Sequence, residues 1–159
     1  MTEGLIKAFP RKKLFIDILT QDVTARTCIL DLIDNSVDSY TRNNITEKRE
    51  IHIVVNETFC EINDTCGGID KDYLVDHVFR FGFEELNKTL PTLGMYGIGL
   101  KRSIFKMGND IRLETDDGKF YSIMDLDVIA WEKKTDWDIP FDFDNLEFPR
   151  YSGHTEELG

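Results

Sequence analysis

The stretch Asp31-Leu32-Ile33-Asp34-Asn35-Ser36-Val37-Asp38 decides how the rest of the chain is read. On a helix turning about 100° per residue, Asn35 lies about 40° from Asp31, and Asp38 lies about 20° to the other side. Leu32, Ser36, Ile29, Tyr40, Ile33, Val37 and Leu30 fan across the opposite side. This wide apolar face predicts a helix over residues 22–42, with Thr20 or Asp22 as its cap. Leu14, Phe15, Ile16 and Ile18 form a separate apolar run before it. The plainer alternative is a wet face on a surface helix. Asn35 argues against that, because asparagine is a poor helix former placed here between two acids. An amide oxygen and carboxylates are hard oxygen ligands suited to Mg²⁺.

Two strands are expected next, at residues 51–55 and 58–62, with Asn56-Glu57 as a tight turn. Asp64 follows directly, and Thr65-Cys66-Gly67-Gly68-Ile69 comes after it. Paired glycines let backbone approach a ligand that side chains would block. An acid at this place can accept a hydrogen bond from an exocyclic amine such as that of adenine. The alternative is an ordinary turn into a helix capped by Asp70.

The third element is Gly94-Met95-Tyr96-Gly97-Ile98-Gly99-Leu100-Lys101. It opens a helix expected to stop near Gly108. A helix start reached through glycines favours phosphate through its free N–H groups and dipole, and Lys101 and Arg102 add positive charge. The alternative is a flexible glycine loop. A Walker A loop is excluded, because Leu100 stands between Gly99 and Lys101 and Arg102 follows. A dinucleotide fingerprint is excluded by Arg102 where its third glycine would stand.

Together, Asp31-x-x-x-Asn35-x-x-Asp38, Asp64-Thr-Cys-Gly-Gly68-Ile69 and Gly97-Ile-Gly99-Leu-Lys101 resemble the GHKL ATPase superfamily. That group includes gyrase B subunits, the 90-kDa heat-shock chaperones, sensor histidine kinases, MutL and the MORC proteins. The wording is most similar to MORC-like bacterial ATP-binding proteins, over roughly residues 10–155. The resemblance implies ATP and Mg²⁺ as ligands. Asn35 would hold Mg²⁺ and the phosphates, Asp64 would receive the adenine amine, and Gly68 and Ile69 would shape the adenine pocket. Gly94, Tyr96, Gly97, Ile98, Gly99, Leu100 and Lys101 would line the phosphates, and Asp38 would support the helix or the pocket rim. Residues 77–95, with Phe81 and Gly82, would form a lid over the nucleotide. Thr155, in Gly153-His154-Thr155, would share a water with Asp64. Asp31 takes the place of a glutamate that orients and deprotonates the attacking water.

Three departures from the family pattern stand out. Aspartate is one methylene shorter than glutamate, so a carboxylate at position 31 falls about 1 Å short, a misplacement able to cost about 100-fold in rate. Thr65 and Cys66 stand where asparagine and glycine are common, with Gly67 as compensation. Thr155 is followed by Glu156-Glu157-Leu158-Gly159 where the family has an apolar strand.

Composition fits one soluble, cytoplasmic domain of 159 residues with room for a core, read as the N-terminal part of a longer protein. No apolar run is long enough to span a membrane. Cys28, Cys60 and Cys66 lack paired metal spacing and read as reduced thiols. His52, His77 and His154 are scattered. The net charge is -11, and residues 110–159 hold 14 acids against 5 bases. A nucleic-acid face needs clustered bases, so direct nucleic-acid binding is not expected.

Beyond the lid, strands at residues 110–115 and 119–124 are expected around an Asp116-Asp117-Gly118-Lys119 hairpin turn, with Trp131 and Trp137 packed and a late strand near 151–155. The whole reads as an α+β two-layer sandwich of the Bergerat type, with helices on one face of a mixed, mostly antiparallel sheet. Three activities are in play. The first is a slow ATPase whose lid closure drives homodimerisation or moves attached domains and partners. The second is a nucleotide sensor that does not hydrolyse, and the third is a protein-histidine kinase catalytic domain.

Overall fold

The computed structural model describes residues 10–81 and 98–146. Helix α1 is Lys12–Thr20, and α2 is Ala25–Arg42. The apolar run at 14–18 is thus a helix, with Ile16 buried. Helix α2 starts three residues later than expected, because Thr24 caps it and accepts the Thr27 N–H at 3.2 Å. Its chain then runs unbroken for 18 residues, and Cys28, Ser36 and Ser39 are its buried positions.

Strands β1 (Ile51–Val55) and β2 (Cys60–Asp64) pair antiparallel, with Ile51 opposite Asp64. The second strand sits two residues beyond its expected place. The Asn56 Oδ1 accepts the N–H groups of Thr58 (2.8 Å) and Phe59 (3.0 Å), so residues 56–59 fold into the loop. Asp64 therefore ends β2 instead of following it. Asp70 caps a three-residue helix, α3 (Lys71–Tyr73), by accepting the Tyr73 N–H, and α3 runs into a π-helical turn at Leu74–Val78.

Helix α4 (Ile98–Met107) leads into β3 (Asp110–Asp116), β4 (Phe120–Asp127), the short α5 (Val128–Glu132) and β5 (Asp142–Asn145). The β3–β4 turn falls at the expected residues. Asp117 Oδ1 accepts from Lys119 and Phe120, and Gly118 takes φ 86°. Strand β4 is central in the order β3-β4-β5, and alternate residues Phe120, Ser122, Met124 and Leu126 point inward. The fold is α+β, and every described strand pair is antiparallel, in one ladder of two strands and one of three. The late strand expected near 151–155 lies outside the described residues.

Ile16, Phe105, Ile111, Met124, Leu126, Val128 and Trp131 form the main core. Trp131 is buried and meets Trp137 edge-on at 5.6 Å, so both tryptophans pack as expected. Lys12 ties α1 to this corner. Its ammonium donates to the carbonyls of Trp131 (2.7 Å) and Lys134 (2.9 Å) and lies 4.4 Å from the Trp131 ring centre. Burial lowers its pKa. A smaller core of Leu74, Val78 and Phe120 supports Ile69 and Leu100 from below. The cores take in α4 through Phe105 and Leu100, and α2 is tied to α4 through Asp31 and to the end of β2 through Ser36.

Candidate functional site

Helix α2 presents its polar stripe to two neighbours, the glycine segment after β2 and the first turns of α4. At the glycine segment, Ser36 donates its hydroxyl to Asp64 Oδ2 at 2.7 Å, and the Cys66 N–H donates to Asp64 Oδ1 at 2.7 Å. The carboxylate is fixed in direction, yet Asp64 stays exposed. A carboxylate has about four acceptor positions, so an outer one remains for a donor from a ligand. One turn further along α2, Ser39 donates to the carbonyls of Cys66 and Gly68, both at 3.2 Å, and the Asn43 amide donates to Cys66 at 3.3 Å.

The glycines are required by this packing. Gly68 has φ 68°, and a Cβ there would stand 2.1 Å from the Asp116 carbonyl oxygen. Gly67 has φ 106°, and its Cβ would meet the Asn43 amide at 2.5 Å. Ile69 N–H donates to Thr115 Oγ1 at 2.7 Å, so the segment is sewn to the β3–β4 hairpin. Burial and then the neighbouring Asp64 carboxylate push the Cys66 thiol pKa up, which keeps that side chain neutral inside the loop.

At the other end, Asp31 meets α4. Arg102 grips it with two parallel bonds, Nε to Oδ2 at 2.7 Å and Nη2 to Oδ1 at 2.9 Å. Ser103 Oγ adds a third at 3.1 Å to Oδ2. The Asp31 side chain is 15% exposed and that of Arg102 is 35% exposed. The bond to Asp31 raises the Arg102 pKa further. Gly99 lies flat against Asp31, where a Cβ on the glycine would stand 3.6 Å from the Asp31 Cβ.

Between the two ends sits Asn35. Its Nδ2 is buried and has no hydrogen-bond partner among the described residues. A buried amide left unpaired is costly unless something completes it. A phosphate oxygen would do so by accepting from that N–H₂, and the amide oxygen is of the hard type that Mg²⁺ takes. The residues present therefore fit a magnesium-bound phosphate group at Asn35 and a purine amine at Asp64. Asp38 is half-buried on the same stripe.

The expected α4 residues divide. Ile98 is exposed at the helix start, Leu100 packs on the smaller core, and Lys101 is 1% exposed. The Lys101 ammonium lies 5.5 Å from the Phe81 ring centre, and burial lowers its pKa to about 8. Arg102 meets the α2 face through Asp31. Phe81 packs edge-on against Phe15 at 4.4 Å, on the α1 side. Gly82, Gly94, Tyr96, Gly97 and Thr155 lie outside the described residues, as does most of the expected lid.

Sequence reasoning set Ser36 on the apolar face opposite Asp31, where the structure instead turns it to Asp64, and it missed Ser39 and Asn43 as supports of the glycine segment. Their spacing of three and four residues along one helix stripe is a readable signal. The Arg102–Asp31 pair carries no such signal, since its members are 71 residues apart.

A sequence-family profile described as histidine kinase-, DNA gyrase B-, and HSP90-like ATPase matches residues 23–152. No curated protein matches the chain.

Proposed function

The chain belongs to the histidine kinase-, DNA gyrase B- and HSP90-like ATPases, and on that premise we propose that it binds ATP with Mg²⁺ as a conformational switch. The observation that carries the proposal is the α2 stripe. It sets a fixed but exposed carboxylate at Asp64 and an unpaired buried amide at Asn35 in register along one helix. Asp64 selects the base through its amine, Asn35 holds Mg²⁺ and phosphate, and the glycines keep side chains out of the base's way.

In this reading occupancy of the site drives dimerisation or moves attached domains, and turnover resets it slowly. Asp31 would then accept the proton of the attacking water. Its grip by Arg102 and Ser103 supports slowness, because three hydrogen bonds already occupy acceptor positions that an attacking water would need. The same grip favours a second reading, in which nucleotide is bound and not hydrolysed.

Calorimetry with Mg-ATP on wild type and Asp64→Asn tests the proposal. Wild type is expected to bind in the micromolar to millimolar range. The asparagine variant should lose about 10-fold to 100-fold, the worth of a hydrogen bond to a charged group. Equal binding by both would refute the assignment of Asp64. Turnover by Asp31→Glu separates the two readings, since a gain marks a weakened base and no gain marks a sensor.

A further inference from the structure

We propose that Arg102 reads the terminal phosphate of the nucleotide, and that Asp31 serves to aim it. This rests on the ATP-binding reading above and deepens it.

The order of groups along α2 gives the direction. Asp64, the partner of the base, is bonded to Ser36. Asn35, with its unpaired amide, is the phosphate partner next to it. Asp31 is one helical turn further toward the start of α2, and there the guanidinium of Arg102 stands. A nucleotide whose base lies at Asp64 and whose phosphates pass Asn35 therefore carries its last phosphate toward Arg102.

The donor count shows what Arg102 has left. A guanidinium has five N–H groups in a rigid fork. Asp31 takes one from Nε and one from Nη2. The remaining edge, formed by Nη1 and the second Nη2 hydrogen, has no bond among the described residues and lies in a side chain that is 35% exposed. That edge matches the spacing of two phosphate oxygens, so Arg102 can hold Asp31 and a phosphate at once. Asp31 fixes the plane of the fork, and Ser103 fixes Asp31.

The shorter carboxylate at position 31 then has a positive use. Aspartate keeps its own carboxylate against the bare face of Gly99 and leaves room for the guanidinium to meet it from α4. Asp31 acts as a positioning residue, and ATP is told from ADP by the one phosphate that reaches Arg102.

The experiment measures Mg-ATP and Mg-ADP affinities by calorimetry on wild type, Arg102→Ala, Arg102→Lys and Asp31→Asn. Wild type should prefer ATP. Arg102→Ala should weaken ATP by about 10-fold or more, as expected for charge-assisted bonds, and leave ADP within about threefold. Arg102→Lys should recover part of that loss, since it keeps the charge without the fork. Asp31→Asn should weaken ATP selectively too, by less than Arg102→Ala. Because Arg102→Ala leaves Asp31 poorly compensated, a paired Asp31→Leu/Arg102→Met variant keeps the contact packed. It should bind ADP normally and show no preference for ATP.

Loss of ATP and ADP affinity by equal factors, or of neither, overturns the proposal. Equal ATP and ADP affinity in wild type overturns it while leaving the ATP-binding reading intact. Binding of neither nucleotide by wild type ends both.

Discussion

The two ends of the α2 stripe are built from different materials. At the Asp64 end, neutral donors and close backbone contact hold one acid in place: a serine hydroxyl, a peptide N–H and two glycines in left-handed conformations. At the Asp31 end, a full charge pair does the holding. The first end is a mould, shaped before a ligand arrives and costly to deform. The second is a polarised contact whose strength depends on protonation, charge and whatever anion comes near. Recognition of a flat base suits the former, and recognition of a charged group suits the latter.

The mould can be broken most severely at Gly68. Gly68→Ala puts a Cβ against the Asp116 carbonyl at a positive φ. Strain and overpacking together should cost about 3 kcal/mol, which lowers the melting temperature by about 10 °C. Thermal unfolding followed by circular dichroism measures this. Gly67→Ala is the control that sharpens the comparison, because its obstacle is the movable Asn43 side chain and not backbone. Its loss should be clearly smaller, and equal losses would show that the hairpin contact is not what shapes the segment.

Ser36→Ala comes next. It removes the hydroxyl that aims Asp64 and should cost about 1 kcal/mol, close to a fivefold loss of nucleotide affinity in calorimetry. The loss should be the same for ATP and ADP, since the base end does not sense phosphate number. An effect on ATP alone would merge the two ends into one unit.

The remaining effect concerns α4 and pH. Burial lowers Lys101 from its ordinary 10.5 to about 8. Below pH 8 the folded and unfolded chains both carry the proton, and the folded state bears the burial penalty. Between pH 8 and 10.5 the folded state sheds the proton while the unfolded chain keeps it. Stability should therefore rise with pH across that window, by about 1–2 kcal/mol. Urea unfolding at pH 7.5 and pH 10 tests this against Lys101→Met, in which this increment should vanish. Arg102 should contribute no such slope, because its pairing with Asp31 raises its pKa.

Much of this arrangement was legible from local pattern. The Asp31, Asn35 and Asp38 part of the α2 face follows from helical periodicity, though the contacts of Ser36 and Ser39 do not, and the β3–β4 turn follows from Asp117 and Gly118, whose chemistry is local. Asp70 as a cap was also readable. What escaped depends on distant or competing contacts. The β1–β2 register shifted because the Asn56 side chain, not a two-residue turn, organises the loop. Strand β5 reads as Asp142-Phe143-Asp144-Asn145, and aspartate and asparagine are poor strand formers. It forms because β4 offers a free edge. The Asp31–Arg102 contact joins two helices far apart in sequence and exists only once the chain has brought α2 and α4 together.

Because Asp31, Asn35, Ser36 and Ser39 all stand on one unbroken helix, the site has a built-in ruler. The rise of about 1.5 Å per residue fixes roughly 12 Å between its first and last marks. Substitutions change what a mark recognises and leave the scale intact. Insertion of a single residue between Asp31 and Ser36 would turn one end by about 100° relative to the other. The helix therefore constrains the chain's spacing more tightly than its identities, and lengthening is the one kind of change that no compensating side chain at either end can repair.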